Sequence, residues 1–168
     1  GLADQPRPES RDVLVRLREM GLRPLVMLTG DNRGVAEAVG KALGVNEIKA
    51  DLLPEDKVSA IQALMQAHGP VAMVGDGVND APALAQATVG IAMGGAGTGV
   101  ALETADVALM GDDLRTLPFA VGLSRQAARI IKQNLAISMA VIGLLVVATL
   151  LGWAGIGTAV LLHEGSTM

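Results

Sequence analysis

The sequence contains no cysteine and no tyrosine, and it has only one phenylalanine and one tryptophan among 168 residues. Without cysteine there is neither a disulfide frame nor a thiolate metal site within this stretch. So few aromatic rings, with a net charge of −4, exclude the stacking platforms and basic surface on which nucleic-acid binding depends. Nothing at the N-terminus has the basic-then-apolar layout of a signal peptide. An apolar fraction of 51% is far above that of a solvated, disordered chain. The length suits about one domain. The chain starts at Gly1 and stops at Met168 within an apolar run, which leads us to expect a piece of a longer protein.

Charge thins along the chain. Up to about residue 130 charged side chains are frequent, and beyond it Lys132 and Glu164 stand alone. Two environments are implied, water first and lipid second.

The first part alternates helical and strand patterns. Val13, Leu14, Leu17 and Met20 share one helical face between Pro8 and Met20, and Gly21 can end that helix. Pro24–Thr29 is a short apolar strand, and Val35, Val39 and Leu43 mark a helix stopped by Gly44. Glu47–Ala50 is a short strand, followed by a helix from Pro54 whose stripe is Val58, Ile61, Leu64 and Met65. Val71–Gly75, Val89–Met93 and Val107–Met110 read as strands, with helices over Ala81–Ala87 and Thr98–Ala105. Alternation of this kind predicts an α/β fold, a parallel sheet with helices on both faces and apolar strands. In such sheets ligands sit beyond the carboxyl ends of the strands. That rule selects three loops: "TGDN" (Thr29–Asn32), "GDGVND" (Gly75–Asp80) and "GGAGTG" (Gly94–Gly99).

The last third is different. Asp113 can cap a helix that runs through residues 116–134 as a cytoplasmic link and into an uncharged span, 135–152. Eighteen helical residues cover roughly 27 Å, close to the hydrocarbon thickness of a bilayer. Arg125, Arg129 and Lys132 precede the span and place that end, with residues 1–134, on the cytoplasmic side. Residues 153–168 are expected to form a tight hairpin and a truncated second span, so that a transmembrane helical hairpin follows the α/β part. A buried core helix is the structural alternative for 135–152, but so small a chain has too little surface to cover it.

Within "GDGVND", Asp76 follows an apolar strand and Asp80 opens the next helix, while Gly75 and Gly77 permit a sharp turn. Two carboxylates held close but not buried suit a hard cation such as Mg²⁺, which takes one or two carboxylates plus water and phosphate oxygens. A plain Asp-Gly turn with Asp80 as a helix cap is the simpler alternative. In "LTGDN" the Thr29 hydroxyl and nearby backbone N–H groups can hold phosphate oxygens, or Thr29 or Asp31 can merely cap a helix. Lys57, in "PEDK", sits in a first helical turn, where a cation opposes the helix dipole. It can be a solvated surface lysine or a cation aimed at an anion.

In this order "LTGDN", "PEDK", "MVGDGVNDAPALA", "VGIAMG" and "GTGVALETADVALM" resemble the second half of the phosphorylation domain of heavy-metal P-type ATPases. The resemblance implies a haloacid-dehalogenase-like fold in residues 1–115. It implies ATP and Mg²⁺ as cofactors and an aspartyl-phosphate intermediate on an Asp in a "DKTGT" motif. No such motif is present, so the nucleophile and the other upstream domains are expected to lie before residue 1. By this likeness Asp76 and Asp80 hold Mg²⁺, with Asn79 ordering the shell. Thr29 and Gly30 bind phosphoryl oxygens, Asp31 orders their loop, and Lys57 neutralises the phosphate. Two positions depart from the family pattern: Gly99 and Thr88 stand where Asp is usual.

"HEGST", His163–Thr167, falls about ten residues into the returning span, near the bilayer middle. His and Glu there are costly unless they face a partner or an ion path. Imidazole, carboxylate and hydroxyl groups suit borderline divalent ions. An interfacial position is the alternative. The motif resembles that of the cobalt-type subgroup, which implies export of Co²⁺, Zn²⁺, Cd²⁺ or Fe²⁺ with His163, Glu164, Ser166 and Thr167 at the ion site. The expected partners are that ion, the lipid bilayer (a bacterial plasma membrane) and the upstream domains. The rival readings are a soluble phosphatase of the same fold with an apolar tail, and a non-enzymatic membrane accessory that binds metal.

Overall fold

A computed structural model describes residues 7–76, 79–93, 104–109, 111, 113–152 and 157. The chain divides into two units, Gly1–Phe119 and Ala120–Met168. Helix α1 (Ser10–Glu19) buries Val13 and Leu17, two of the four apolar positions expected on its face. Strand β1 (Val26–Leu28) leads into α2 (Arg33–Leu43), whose first turn is capped by the Asn32 side chain accepting from the Val35 N–H at 3.1 Å. Strand β2 (Glu47–Lys49) pairs with β1 in parallel. Next come α3 (Pro54–His68), β3 (Ala72–Gly75), the short α4 (Ala81–Gln86) and β4 (Val89–Met93). Last are β5 (Val107–Leu109) and the 35-residue α5 (Thr116–Leu150).

Every strand pair is parallel, as the alternating pattern predicts. The strands form two ladders, however: β1–β2, and β3–β4–β5 with β4 in the middle. Among the described strands, burial on both faces holds only for β4, where Gly90–Met93 are all buried; β4 is the central strand of its ladder. Strand β3 alternates, with Met73 buried between exposed Ala72 and Val74. The two ladders meet in one core. Ile61, Met73, Ala83 and Leu84 form its centre, and Leu28 of β1 packs against it with Val58, Met65, Val71 and Ala87. Leu84 is fully buried.

The same device is used three times at the amino-terminal ends of the strands. Asn46, Thr88 and Asp106 each stand immediately before a strand, and each side chain accepts an N–H near the start of the neighbouring strand. Asn46 Oδ1 takes Leu25 N–H at 2.9 Å, Thr88 Oγ1 takes Val71 N–H at 3.0 Å, and Asp106 Oδ2 takes Gly90 N–H at 2.8 Å. These bonds satisfy donors that the ladders leave over, and they hold the pairing in register. Thr88, one of the two departures from the family pattern, therefore supplies an acceptor here, as a carboxylate can. Gly99 and most of the helix expected over Thr98–Ala105 lie outside the described residues.

The expected long helix is continuous from Thr116 to Leu150. It starts with Asp113 Oδ1 accepting the Arg115 N–H at 2.9 Å and the Thr116 hydroxyl donating to the Asp113 carbonyl at 2.7 Å. It is long and apolar enough to cross a membrane, and almost none of its apolar window is buried within the chain. Leu135, Met139, Leu144 and Leu150 are all exposed, so the apolar surface is not confined to one stripe. The described residues leave this apolar surface uncovered.

Candidate functional site

The loops selected from the sequence begin where β1 and β3 end. After β1, the Thr29 N–H still donates to the Lys49 carbonyl at 3.0 Å, so the ladder runs one bond past the strand. The Thr29 hydroxyl then donates to Asp31 Oδ2 at 3.0 Å and accepts the Asp31 N–H at 3.1 Å. This reciprocal pair closes a tight turn on Gly30. A second segment holds it from above: Leu52 N–H donates to the Thr29 carbonyl at 3.1 Å, and Asp51 N–H to the Asp31 carbonyl at 2.9 Å. Asp51 takes the left-handed conformation, φ 56°, to deliver those two N–H groups. Asp is one of the few residues with a side chain that tolerates it. Asp51 was not singled out from the sequence. An acid just before the "LLP" entry to a helix is its only signal.

Helix α3 begins at Pro54, in the first-turn position where proline's missing N–H is no loss. Asp56 Oδ2 accepts the Leu53 N–H at 3.0 Å and satisfies one donor of the helix start. Lys57 follows, and its place against the dipole is explained by a partner. Its Nζ lies 2.5 Å from Asp80 Oδ1, across 23 residues of sequence, and the two side chains are 15% and 17% exposed. The Asp80 carboxylate in turn sits over Gly75. A Cβ placed on Gly75 would stand 2.9 Å from Asp80 Oδ2 and 3.1 Å from Asp80 Cβ. The absence of a side chain at Gly75 thus makes room for Asp80, which ties the turn after β3 to the ion pair with α3.

Asp76 is exposed at the carboxyl end of β3, and Asn79 is exposed ahead of α4. The structure thus joins Lys57 to Asp80 and Thr29 to Asp31, and places Asp76 and Asn79 on the loop that carries Asp80. Gly77 and Val78 lie outside the described residues, as do the third loop and His163, Glu164, Ser166 and Thr167.

Among the described residues no three His, Asp or Glu side chains gather into a metal cage. A donor set of one exposed carboxylate, Asp76, on the same loop as a second that is paired with a lysine is of the kind Mg²⁺ takes. That ion keeps several waters and takes the rest of its ligands from phosphate oxygens.

The known proteins to which this sequence is similar are of one kind. Residues 1–88 match the model of the haloacid dehalogenase-like hydrolase family. The chain is 52% identical over 167 residues to a probable cadmium-transporting ATPase of Alkalihalophilus pseudofirmus, covering 99% of this chain and 23% of that one. It is 50% identical over 167 residues to a zinc-transporting ATPase of Bacillus subtilis, covering 99% and 26%. Among solved structures, a zinc-transporting PIB-type ATPase in its E2.Pi state superposes with a TM-score of 0.90 at 48% identity, over 98% of this chain and 26% of that one. The chain spans about a quarter of the length of the curated relatives it matches.

Proposed function

Because the chain belongs to the haloacid dehalogenase-like hydrolases and is homologous throughout to heavy-metal-transporting P-type ATPases, we propose that it works as part of an ATP-driven exporter of divalent heavy-metal ions. In this reading the terminal phosphoryl group of ATP passes to an aspartate carried on another segment. A new P–O bond forms to that carboxylate as the bond to ADP breaks. The charge on the transferring group spreads over its oxygens, so the protein's work is positioning and electrostatic stabilisation.

The observation that carries the proposal is the convergence of Lys57 and Asp80. It brings the cation of α3 to the acidic turn that follows β3. Lys57 neutralises phosphate oxygens while Asp80 holds its stem in place. Thr29 and Gly30 offer hydroxyl and N–H donors from a turn that Asp31 and the 51–52 segment keep closed. Asp76, with help from Asp80 and Asn79, holds Mg²⁺, which screens the phosphate oxygens when bound. The segment bearing the nucleophile has a place in the sheet. Among the described residues β1 is paired only with β2 and β3 only with β4, although Leu28 and Met73 share one core. An added strand between these two edges would bring its carboxylate to the ends of both loops.

In this reading α5, which is long and apolar enough to cross a membrane, would lead into a span over residues 135–152, with residues 1–134 on the cytoplasmic side. His163, Glu164, Ser166 and Thr167 would then be the ligands of the transported ion. Relatives are named for cadmium and for zinc, and of these two ions zinc is the one that imidazole suits.

The test is Asp76→Asn in the complete protein. Incubation with ATP labelled in its terminal phosphate is expected to give no acid-stable phosphoenzyme. Wild-type levels of phosphoenzyme would remove Asp76 from the metal site.

A further inference from the structure

The chain as a whole is acidic, but the long helix is not. Residues 114–152 contain no Asp or Glu, and their formal charges are Arg115, Arg125, Arg129 and Lys132. The last three recur at spacings of four and three, which places them within an arc of about 60° on a helix of 3.6 residues per turn. All three are exposed. Their height along the helix is fixed by the rise per residue. Lys132 stands ~4.5 Å before Leu135, Arg129 ~9 Å and Arg125 ~15 Å. The interfacial layer of a bilayer is roughly 5–8 Å deep on each side of the hydrocarbon. Lys132 and Arg129 therefore fall within side-chain reach of headgroup phosphates once residues 135–152 are in the hydrocarbon. Arg125 lies further out, at about the range over which salt screens charge.

We infer that the Arg125–Arg129–Lys132 stripe is a binding face for anionic lipid headgroups, with Arg129 and Lys132 as its main contacts. Charge complementarity carries the choice of occupant. Arg129 and Lys132 lie on one face at headgroup height, in a stretch, residues 114–152, that carries no Asp or Glu. A guanidinium and an ammonium one turn apart match the oxygens of one phosphodiester. The inference rests on the membrane-spanning reading of α5, and two separate measurements distinguish their failures.

The full chain is first placed in nanodiscs of phosphatidylcholine alone, where insertion of residues 135–152 is read by their protection from a water-soluble quencher. Absence of protection defeats the span and this inference with it. In mixed discs, spin-labelled phosphatidylglycerol is then compared with spin-labelled phosphatidylcholine. The expected result is a preference for the anionic lipid that weakens with salt. It should fall about five-fold for each cation removed in Arg129→Gln and Lys132→Gln. Arg33→Gln, an equal change of net charge at an exposed position of α2, should leave it unaltered. Equal association of the two lipids, or a preference that survives the double substitution, would overturn the inference while leaving the span intact.

Discussion

Lys57 of α3 and Asp80 of the turn before α4 form an ion pair of 2.5 Å that is largely screened from water. It is the contact through which two separate sequence motifs become one site. Asp56, one residue earlier and itself in the first turn of α3, accepts the Leu53 N–H and sets an acid beside the lysine at the positive end of the dipole.

Removing either partner leaves the other charge poorly solvated. Lys57→Met and Asp80→Asn are each expected to destabilise the chain by about 2 kcal/mol. In urea unfolding of the full chain in detergent micelles, the double variant should lose clearly less than the two single losses combined. Strict additivity would mean that the pair contributes nothing.

Gly75→Ala acts on the same contact from beneath. The new methyl group would meet Asp80 Oδ2 at 2.9 Å and must push the carboxylate from Lys57. A loss of about 1–2 kcal/mol is expected. The clash involves only the Asp80 side chain among the nearest atoms, so Asp80→Ala in the same chain should relieve most of it. Equal cost in both backgrounds would place the strain in the backbone instead.

The packing of α4 on β4 offers a test of the core. A Cβ on Gly90 would stand 2.6 Å from the Leu84 carbonyl oxygen, a backbone atom that cannot swing aside. Gly90→Ala should cost about 1–3 kcal/mol, and Leu84→Ala about 2–5 kcal/mol by opening a cavity at a fully buried position. Gly111→Ala, with nothing within 4 Å, should stay within about 0.5 kcal/mol.

At the start of α5 the Arg115 guanidinium and backbone N–H bind the Asp113 carboxylate and hold its pKa below the ordinary 3.8. A depressed carboxylate stabilises the fold above its unfolded pKa, and that contribution is lost as pH falls through the folded one. The helix start should therefore be insensitive to pH near neutrality and loosen only below about 3.8. Amide shifts of Arg115 and Thr116 followed by NMR check this, and Asp113→Asn should abolish the acid transition. A transition that persists in that variant must come from another group.

Much of this was readable in the sequence because the signals are local. Gly44 and Pro54 punctuate helices through their own backbone limits, and apolar runs such as Val89–Met93 need no partner to be recognised as strands. Even Lys57 could be marked from its awkward position in a helical turn. Asp80 could not be assigned as its partner, because 23 residues separate them and sequence spacing carries no distance. Nor could the left-handed Asp51, whose conformation follows from two hydrogen bonds to the Thr29–Asp31 turn. The single sheet expected from alternation occurs as two ladders, since alternation counts strands but does not say which edges meet.

By itself the sequence determined the order of elements, the loops at the strand ends and the uncharged stretch of α5. Each follows from properties of residues close in the chain: backbone conformation, hydrophobic period and charge. Only the tertiary structure decided that Asp80 answers Lys57, that Gly75 makes room for it, and that Asn46, Thr88 and Asp106 hold the strand starts. Those outcomes depend on which distant segments share a core, and that is settled by packing around Leu84 and Met73 rather than by any local preference.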